Sequence, residues 1–294
     1  ILPARGMVVV SSPRLLLFLD LDDCAAGSIW PFADRPRQPL NREAFAKLMA
    51  ECERARVGVH LLTNRPPAQL AVIGHIVGGP ARYHLAESGC SAWLPDENRV
   101  IINPQCRAFA EEVRPDMVAL LRDRLAVGLD GPILEEYGNR LVTYTVFPLQ
   151  GGHEQVAGLV GQVRELLAGY PVDVRQGKGV DVMPAGMDKV LGCWWAERLH
   201  PHLQGSSLDW TTVLYVEDSM TGARAAQYVM EQSGQVAAVA NAQEDFRQLV
   251  AAGGGILCEQ GQEEGTLEAL RRWLDAWGRG EVRPSLFRQQ SSQK

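Results

Sequence analysis

The stretch from Leu15 to Cys24, which reads LLLFLDLDDC, constrains the fold of this chain more than any other. Its five leading apolar residues are typical of a strand that is buried on both faces of a parallel sheet. Asp20, Asp22 and Asp23 follow at the carboxyl end, where open α/β sheets place their ligands. Such crowded carboxylates repel one another unless a cation lies among them. The pattern therefore indicates either a cation site or an ordinary acidic turn after a strand.

The composition of the 294 residues is that of a globular protein with an ample core, at 46% hydrophobic and 22% charged residues. A formal net charge of −6 gives no basic surface for nucleic acid or an anionic membrane. No apolar run approaches the roughly 20 residues that cross a bilayer, and MVVVSSPR lacks the apolar stretch of a signal peptide. Six scattered cysteines without a C-x-x-C pair favour reduced thiols. We therefore expect a cytoplasmic protein, and we leave residues 1–6, which precede a Met, out of the fold reasoning.

Strand-like and helix-like segments alternate along the first third of the chain. A helix is predicted over Asn41–Arg54, a buried strand over Val57–Leu62 and a short strand over Tyr83–Ala86. The pair Pro66 and Pro67 suits the first turn of a helix between these two strands. This alternation is typical of a parallel sheet that is covered by helices.

The segment from residue 105 to residue 183 breaks the alternation. It reads as a helix, two strand-like runs, a helix over His153–Ala168 and two more short runs, which is the order of a compact α+β unit. Afterwards the alternation resumes with a helix over Met187–Leu199 and the buried strand VLYVED. We therefore predict an α/β fold, in which residues 1–104 and 184–294 form a doubly wound parallel-sheet core domain. Residues 105–183 would form an inserted α+β cap domain of order αββαββ.

Four groups of polar residues share one predicted location, at the ends or flanks of parallel strands. They are Asp20 with Asp22, Thr63 with Arg65, Lys189 at a helix start, and Asp218 with Glu217. Acids from separate strands suit a hard cation with oxygen ligands, while a hydroxyl and an ammonium group suit a phosphoryl group. A carboxylate can attack phosphorus to form an aspartyl-phosphate, and a second carboxyl two residues later could protonate the leaving oxygen.

Each of these residues, taken singly, has a simpler explanation. Thr63 alone would cap a strand end, Lys189 would be a solvated helix residue, and Arg65 would pair with a surface acid. Cys24 has acidic neighbours, which disfavour a thiolate nucleophile. The six histidines show no spacing typical of metal ligands. The hypothesis of a phosphoryl site therefore depends on the residues occurring together.

The order of these motifs resembles that of the haloacid-dehalogenase superfamily of phosphohydrolases, over nearly the whole chain. The insertion between the second and third motifs resembles the cap of the sugar-phosphatase branch. The stretches LAESGCSAW and GKGVDVMPAGMDKV resemble segments of trehalose-6-phosphate phosphatases. The stretches EDSMTG and VANAQEDF are more similar to the sucrose-phosphatase branch.

The resemblance implies roles for the residues at the strand ends. Asp20 would be the nucleophile, and Asp22 would be the general acid for the leaving alcohol and then the base for water. Mg²⁺ would be bound by Asp20, the backbone carbonyl of Asp22, and Asp218. The phosphoryl oxygens would be bound by Thr63, Asn64 and Lys189.

Other residues would lie near the substrate. The resemblance places Arg65, Glu87 and Asp181 there, where the sugar-phosphatase branch has polar groups. In the predicted cap, Glu135 is a further substrate-binding candidate, although an exposed strand face explains it as well.

Several positions depart from the pattern of the family. Cys24 stands where Thr is common, Glu217 where Gly usually precedes the last acid, and Gly222 where a further Asp is frequent. In the predicted cap, trehalose-6-phosphate phosphatases tend to have basic residues where this chain has Tyr137, Tyr144 and Val146. The departures in the cap disfavour trehalose 6-phosphate as the substrate and leave phosphorylated sugars as the expected class, whereas Cys24, Glu217 and Gly222 keep a sugar-phosphate-binding regulator open as an alternative.

We therefore expect a Mg²⁺-dependent phosphatase that hydrolyses a phosphomonoester of a sugar or sugar derivative through an aspartyl-phosphate. Two alternatives stay open. One is a phosphotransferase or phosphomutase that uses the same intermediate, and the other is a catalytically weak regulator that binds a sugar phosphate. The expected partner is a small-molecule sugar phosphate, with neither nucleic acid nor membrane, and the protein would be a monomer or a homodimer.

Overall fold

The computed structural model describes residues 15–24, 41–77, 81–125, 132–134, 140–148, 153–177 and 179–281. Its helices and strands follow one another in this order: β1 (Leu15–Leu19), α1 (Arg42–Ala55), β2 (Val57–Leu61), α2 (Pro67–Val77), β3 (His84–Ala86), β4 (Ser91–Leu94), β5 (Arg99–Ile102), α3 (Arg114–Leu125), β6 (Pro132–Leu134), β7 (Tyr144–Pro148), α4 (His153–Leu166), β8 (Val172–Gln176), β9 (Val180–Pro184), α5 (Lys189–Gln204), β10 (Val213–Glu217), α6 (Ala223–Glu231), β11 (Gln235–Ala238), α7 (Glu244–Ala252), β12 (Ile256–Leu257) and α8 (Gln262–Gly278).

The central sheet has five parallel strands in the order β12-β11-β10-β1-β2. All five residues of β1 are buried, and so are all five of β2 and of β10. Apolar side chains on both faces of a strand are shielded from water only where helices cover both faces of the sheet. The prediction of an α/β fold with a parallel-sheet core is confirmed.

The strand register brings the candidate residues to one edge of this sheet. Leu19 of β1 lies opposite Leu61 of β2 and Val216 of β10. One residue further along, Asp20 donates its backbone N–H to the carbonyl of Val216 at 3.0 Å. Glu217 therefore stands level with Asp20 on the neighbouring strand, because parallel strands keep their register.

A three-stranded antiparallel sheet, β3-β4-β5, extends beyond the edge strand β2. It joins the central sheet through a parallel bridge between Leu62 and Leu85. The strand predicted over Tyr83–Ala86 is β3, whereas β4 and β5 were not predicted. Their connection is a tight turn in which Asn98 has a φ of 44°, a conformation that asparagine tolerates.

A four-stranded antiparallel sheet in the order β6-β7-β9-β8 accounts for the inserted segment. With α3 and α4 it gives the predicted order αββαββ. Its buried apolar side chains form a second hydrophobic cluster, separate from the one beneath the parallel sheet. Leu191 of α5 belongs to this second cluster, whereas Cys193 belongs to the first, so α5 packs against both. The limits of the two domains at residues 105 and 183 stay a prediction.

In the part of the chain that the structure describes, no helix has both the length and the apolar character needed to cross a membrane. The cytoplasmic location and the oligomeric state stay predictions.

Candidate active site

Asp20 and Lys189 form the centre of the site. Asp20 is only 6% exposed at the end of β1, and its Oδ1 accepts the backbone N–H of Leu21 at 2.8 Å. The ammonium nitrogen of Lys189 lies 2.8 Å from Asp20 Oδ2 and 2.6 Å from Glu217 Oε2. Three residues that are far apart in the sequence are therefore in direct contact, as the sequence predicted for the ends of neighbouring strands.

The start of α5 carries Lys189 into the sheet edge. Asp188 is the N-cap of this helix, and its Oδ1 accepts the N–H of Val190 at 2.9 Å. One turn later, Gly192 packs against Gly89, where a Cβ would lie only 2.3 Å from the Gly192 backbone nitrogen. Gly89 also has a φ of +90°, which other residues rarely adopt. This close backbone contact brings α5 near enough for Lys189 to reach Asp20.

Glu217 is completely buried, and both of its carboxylate oxygens accept hydrogen bonds. Oε2 accepts from Lys189 at 2.6 Å and from the Tyr215 hydroxyl at 2.6 Å. Oε1 accepts from the backbone N–H groups of Asp218 and Ser219, each at 3.2 Å, and from the Ser219 hydroxyl at 3.0 Å. Five donors therefore satisfy this carboxylate.

The charges of the site are unbalanced in favour of the acids. Oxygens of Asp20, Glu217 and Asp218 lie within 4.8 Å of one another. Burial raises the pKa of Asp20 to about 7 against the opposing effect of Lys189, and burial and the neighbouring acids raise the pKa of Asp218 well above its usual value. Burial would also raise the pKa of Glu217, but the charge and hydrogen bond of Lys189 hold it below its usual value.

This donor set fits a divalent cation. If the three acids were ionised, the single ammonium of Lys189 would leave two negative charges in a poorly hydrated site, and an ion such as Mg²⁺ prefers such oxygen ligands. Glu217 is close enough to be a ligand, but its hydrogen bonds occupy both oxygens. The residues that could hold the ion are therefore Asp20 and Asp218, together with the predicted backbone carbonyl of Asp22.

Asp22 is held by Arg65. The guanidinium donates from Nε to Asp22 Oδ2 at 2.8 Å and from Nη2 to Oδ1 at 2.5 Å. Arg65 is only 6% exposed, and its Nη1 also donates to Gln69 at 3.3 Å. The sequence predicted that Arg65 binds substrate. In this structure it orients the predicted general acid, which follows the nucleophile by two residues, while its contact with substrate stays a prediction.

The segment Thr63–Arg65 follows β2 and is fixed by backbone hydrogen bonds. The carbonyl of Thr63 accepts the N–H of Ser88 at 2.9 Å, and the carbonyl of Arg65 accepts that of Glu87 at 2.9 Å. Thr63 is 1% exposed, and it follows directly on Leu62, which bonds to Leu19 at 2.9 Å. The strand ends thus bring Thr63 beside Asp20, while phosphoryl binding by Thr63, Asn64 and Lys189 stays a prediction.

Glu87 connects the core to the inserted segment. Its fully buried carboxylate accepts the backbone N–H groups of Leu141, Val142 and Thr143 at 2.6, 2.8 and 3.0 Å. Glu87 has a φ of 49°, and these bonds help to stabilise this uncommon conformation. That Glu87 contacts the substrate stays a prediction, since the structure shows its carboxylate bound to the inserted segment.

A second connection joins Asn64 to the inserted segment. Arg140 donates from Nη1 to the carbonyl of Asn64 at 2.8 Å and to the Thr143 hydroxyl at 2.9 Å. Asp181 of β9 accepts from the Thr145 hydroxyl at 2.8 Å, and burial raises its pKa despite the nearby Arg140. Asp181 therefore lies on the side of the inserted sheet that faces the segment Thr63–Arg65, and its contact with substrate stays a prediction. Glu135 and Tyr137 lie outside the described residues.

The thiol of Cys24 lies 3.8 Å from Asp218 Oδ1, and burial and the surrounding carboxylates raise its pKa well above the usual value. The expectation that Cys24 is not a thiolate nucleophile is therefore supported by its surroundings. All six cysteines are free.

Sequence reasoning missed three residues that shape the site. Tyr215 precedes Glu217 by two positions in β10, and this spacing places both side chains on one face of the sheet. That signal could have identified Tyr215 as a partner of the buried acid. The hydroxyl of Ser219 and the guanidinium of Arg140 gave no comparable signal, because their partners are set by the tertiary fold.

Solved structures of other proteins share this architecture. The sucrose-phosphatase of Synechocystis sp. PCC6803, solved in complex with sucrose and phosphate, is similar with a TM-score of 0.58 at 18% identity, over 88% of this chain and 97% of that one. The chain has the haloacid-dehalogenase fold. A haloacid dehalogenase-like hydrolase from Bacteroides thetaiotaomicron gives a TM-score of 0.59 at 15% identity, over 88% of this chain and 98% of that one. A trehalose-6-phosphate phosphatase related protein gives 0.55 at 13% identity, over 90% and 99%.

The coverage extends to both the parallel-sheet core and the inserted segment. At these identities the similarity shows the fold alone. No family model matches the chain, and no curated protein matches it in sequence.

Proposed function

We propose that the protein is a Mg²⁺-dependent phosphatase that hydrolyses a phosphomonoester of a sugar or sugar derivative through an aspartyl-phosphate on Asp20. The observation that carries the proposal is the contact of Lys189 with Asp20, at 2.8 Å, beside the half-buried acid Asp218. A nucleophilic carboxylate next to a fixed cation and a site for a divalent ion is an arrangement suited to phosphoryl transfer.

In the first step an oxygen of Asp20 attacks phosphorus, and the bond from phosphorus to the sugar oxygen breaks. Lys189 and the hydroxyl of Thr63 bind the phosphoryl oxygens and stabilise their charge. Asp22 gives its proton to the departing alkoxide, so that the sugar leaves as a neutral alcohol. Because Arg65 holds both oxygens of Asp22 in this structure, one of these hydrogen bonds opens before the proton is transferred.

In the second step Asp22 takes a proton from water, and the water oxygen attacks phosphorus. The bond between phosphorus and Asp20 breaks, which releases inorganic phosphate and restores the carboxylate. Mg²⁺, when held by Asp20, Asp218 and the backbone carbonyl of Asp22, would supply positive charge next to the phosphoryl oxygens.

The position of the inserted segment favours a substrate that is larger than inorganic phosphate. Hydrogen bonds of Glu87 and Arg140 connect it to the segment Thr63–Arg65 and its neighbours, so that its sheet lies close to any leaving group at Asp20. The sucrose-phosphatase and the trehalose-6-phosphate phosphatase related protein share this architecture, and their names favour sugar phosphates as the class to test first.

The test is turnover on a panel of sugar phosphates with and without Mg²⁺, with Asp20→Asn as the matched variant. We expect phosphate release that needs Mg²⁺ and that is lost in Asp20→Asn. Full activity of Asp20→Asn would refute the mechanism. Phosphate appearing on a second sugar would favour a phosphotransferase or phosphomutase. Calorimetric binding of a sugar phosphate without turnover at any Mg²⁺ concentration would favour a regulator.

A further inference from the structure

The carboxylate of Glu217, beside Lys189, fills the space that a side chain at position 222 would need. A Cβ built on Gly222 would lie 2.1 Å from Glu217 Oε2 and 2.5 Å from its carboxyl carbon. Real Cβ atoms do not approach other atoms so closely, and Glu217 cannot yield easily because five hydrogen bonds hold its carboxylate. Any side chain at position 222 therefore requires Glu217 to move.

The backbone of Gly222 does not itself require glycine. Its φ of −94° and ψ of 1° lie in a region that residues with a side chain adopt. Gly222 is also buried, so solvent offers no room for a displaced side chain. The need for glycine therefore comes from the space that the Glu217 carboxylate fills.

We propose that Glu217 is a positioning residue, whose carboxylate fixes the ammonium of Lys189 for phosphoryl binding, and that Gly222 provides the space for that carboxylate. This inference rests on the proposed function, since Lys189 is the group that would bind the phosphoryl oxygens. It assigns to Glu217 a role distinct from metal binding, because its oxygens are occupied by Lys189, Tyr215, Ser219 and the backbone of Asp218.

The geometry explains why Lys189 needs a second acid. An ammonium group has three donors, and here one points to Asp20 and one to Glu217, which leaves one for a phosphoryl oxygen. Without Glu217 the ammonium would pair with Asp20 alone and neutralise the nucleophile. Glu217 thus shares the ammonium of Lys189 with Asp20, while Tyr215 fixes the position of the Glu217 carboxylate.

The first test replaces Glu217 by Gln, which keeps the shape and removes the charge. The matched control is Glu197→Gln on the same helix as Lys189, because Glu197 is a half-buried acid that, like Glu217, accepts from a tyrosine hydroxyl, at 2.5 Å, and also from Trp210 at 2.7 Å. Glu197 lies eight residues beyond Lys189, about 12 Å along the helix.

We expect Glu217→Gln to lower kcat by about 100-fold, the typical loss when one group that stabilises the transition state is misplaced. We also expect weaker binding of inorganic phosphate, measured by calorimetry in Mg²⁺, by about tenfold. Glu197→Gln should keep both values within about twofold. Phosphate binding by Glu217→Gln equal to that of the unchanged protein would overturn the inference, even if the protein is a phosphatase.

The second test moves the carboxylate across the space between the two positions. Glu217→Gly combined with Gly222→Asp places an acid there from the other side, whereas Glu217→Gly combined with Gly222→Ala removes the clash and supplies no acid. We expect the first pair to bind inorganic phosphate at least about tenfold more tightly than the second and to restore part of kcat. Thermal unfolding of both pairs checks that they fold.

Equal phosphate binding by the two pairs would overturn the inference, because it would show that a carboxylate in this space does not matter. The proposed function fails by a different result. If the unchanged protein hydrolyses no sugar phosphate but binds inorganic phosphate in a manner that depends on Glu217, the positioning role stands and the phosphatase does not. If the unchanged protein binds no phosphate at all, both are refuted.

Discussion

Replacing Asp20 by Asn should stabilise the protein in the absence of divalent cations, although it removes the nucleophile. Burial raises the pKa of Asp20 from 3.8 to about 7. A carboxyl group with a raised pKa in the folded state binds its proton more tightly there than in the unfolded chain. Its contribution to stability is therefore fully present below about pH 4 and is lost as the pH rises through about 7.

The size of the effect follows from the shift. One pKa unit corresponds to about 1.4 kcal/mol, so that ionising Asp20 in the folded protein costs on the order of 4 kcal/mol at pH 8. Asn carries no charge and keeps one oxygen, which can accept from Lys189 or from the N–H of Leu21, whereas Asp20 uses Oδ2 for the first and Oδ1 for the second. We therefore expect Asp20→Asn to raise the free energy of unfolding by about 2 to 4 kcal/mol at pH 8 without metal, and by only about 1 to 1.5 kcal/mol at pH 5.

The assay is urea denaturation at pH 5 and pH 8 in a chelating buffer. Asp275→Asn is the control, because Asp275 is an exposed residue of α8 whose replacement should leave the unfolding free energy nearly unchanged at both pH values. A loss of stability in Asp20→Asn that is the same at both pH values would contradict the reasoning. It would mean that the contacts of the carboxylate outweigh the cost of burying its charge.

Three further predictions concern the surroundings of the site. Mg²⁺ should raise the Tm more at pH 8 than at pH 5, because protons compete with the ion for Asp20 and Asp218, whose pKa values are raised. An equal shift of the Tm at the two pH values would count against binding at these acids. Arg65→Met should lower the unfolding free energy, measured by urea denaturation, by about 2 kcal/mol, since it leaves Asp22 without its bidentate partner. The control Arg272→Met, at an exposed ion pair, should lower it by less than about 1 kcal/mol, and similar losses in the two variants would argue against a structural role of Arg65. Glu87→Gln should lower the unfolding free energy by about 2 to 3 kcal/mol and expose the inserted segment to limited proteolysis, because an amide oxygen cannot replace a carboxylate that binds three N–H groups. The control Glu43→Gln, on the surface of α1, should change neither, and unchanged proteolysis of Glu87→Gln would show that this contact does not hold the segment.

Sequence reasoning could predict those parts of the fold whose pattern is local. Short and mostly apolar runs in β1, β2 and β10 indicate buried strands whatever surrounds them. The hairpin of β4 and β5 was missed because it is short and lacks a clear alternation: Ser91–Leu94 is buried throughout, whereas Arg99–Ile102 is exposed in its first half and half-buried in its second. Neither segment has the two-residue period by which a half-buried strand is recognised.

In the site, too, some features could be predicted from local sequence patterns and others could not. That Asp20, Thr63, Lys189 and Asp218 share one edge follows from the topology of a parallel sheet, which the sequence indicated. The partner of each side chain does not follow from it. Arg65 was expected near the substrate, and the structure adds its hydrogen bonds to Asp22, which no local pattern specifies because the two residues are 43 positions apart.

The role of Glu217 shows why the two departures from the expected pattern belong together. Taken separately, an extra acid at position 217 and a glycine at position 222 suggest a damaged site and favour a regulator. In the structure they are one feature, since the acid fills the space that the glycine leaves. If the exchange variant with Asp at position 222 recovers phosphate binding, the same electrostatic requirement is met from either side of Lys189. The departures would then be evidence for a functional site, and the argument for a regulator would lose two of its three supporting residues.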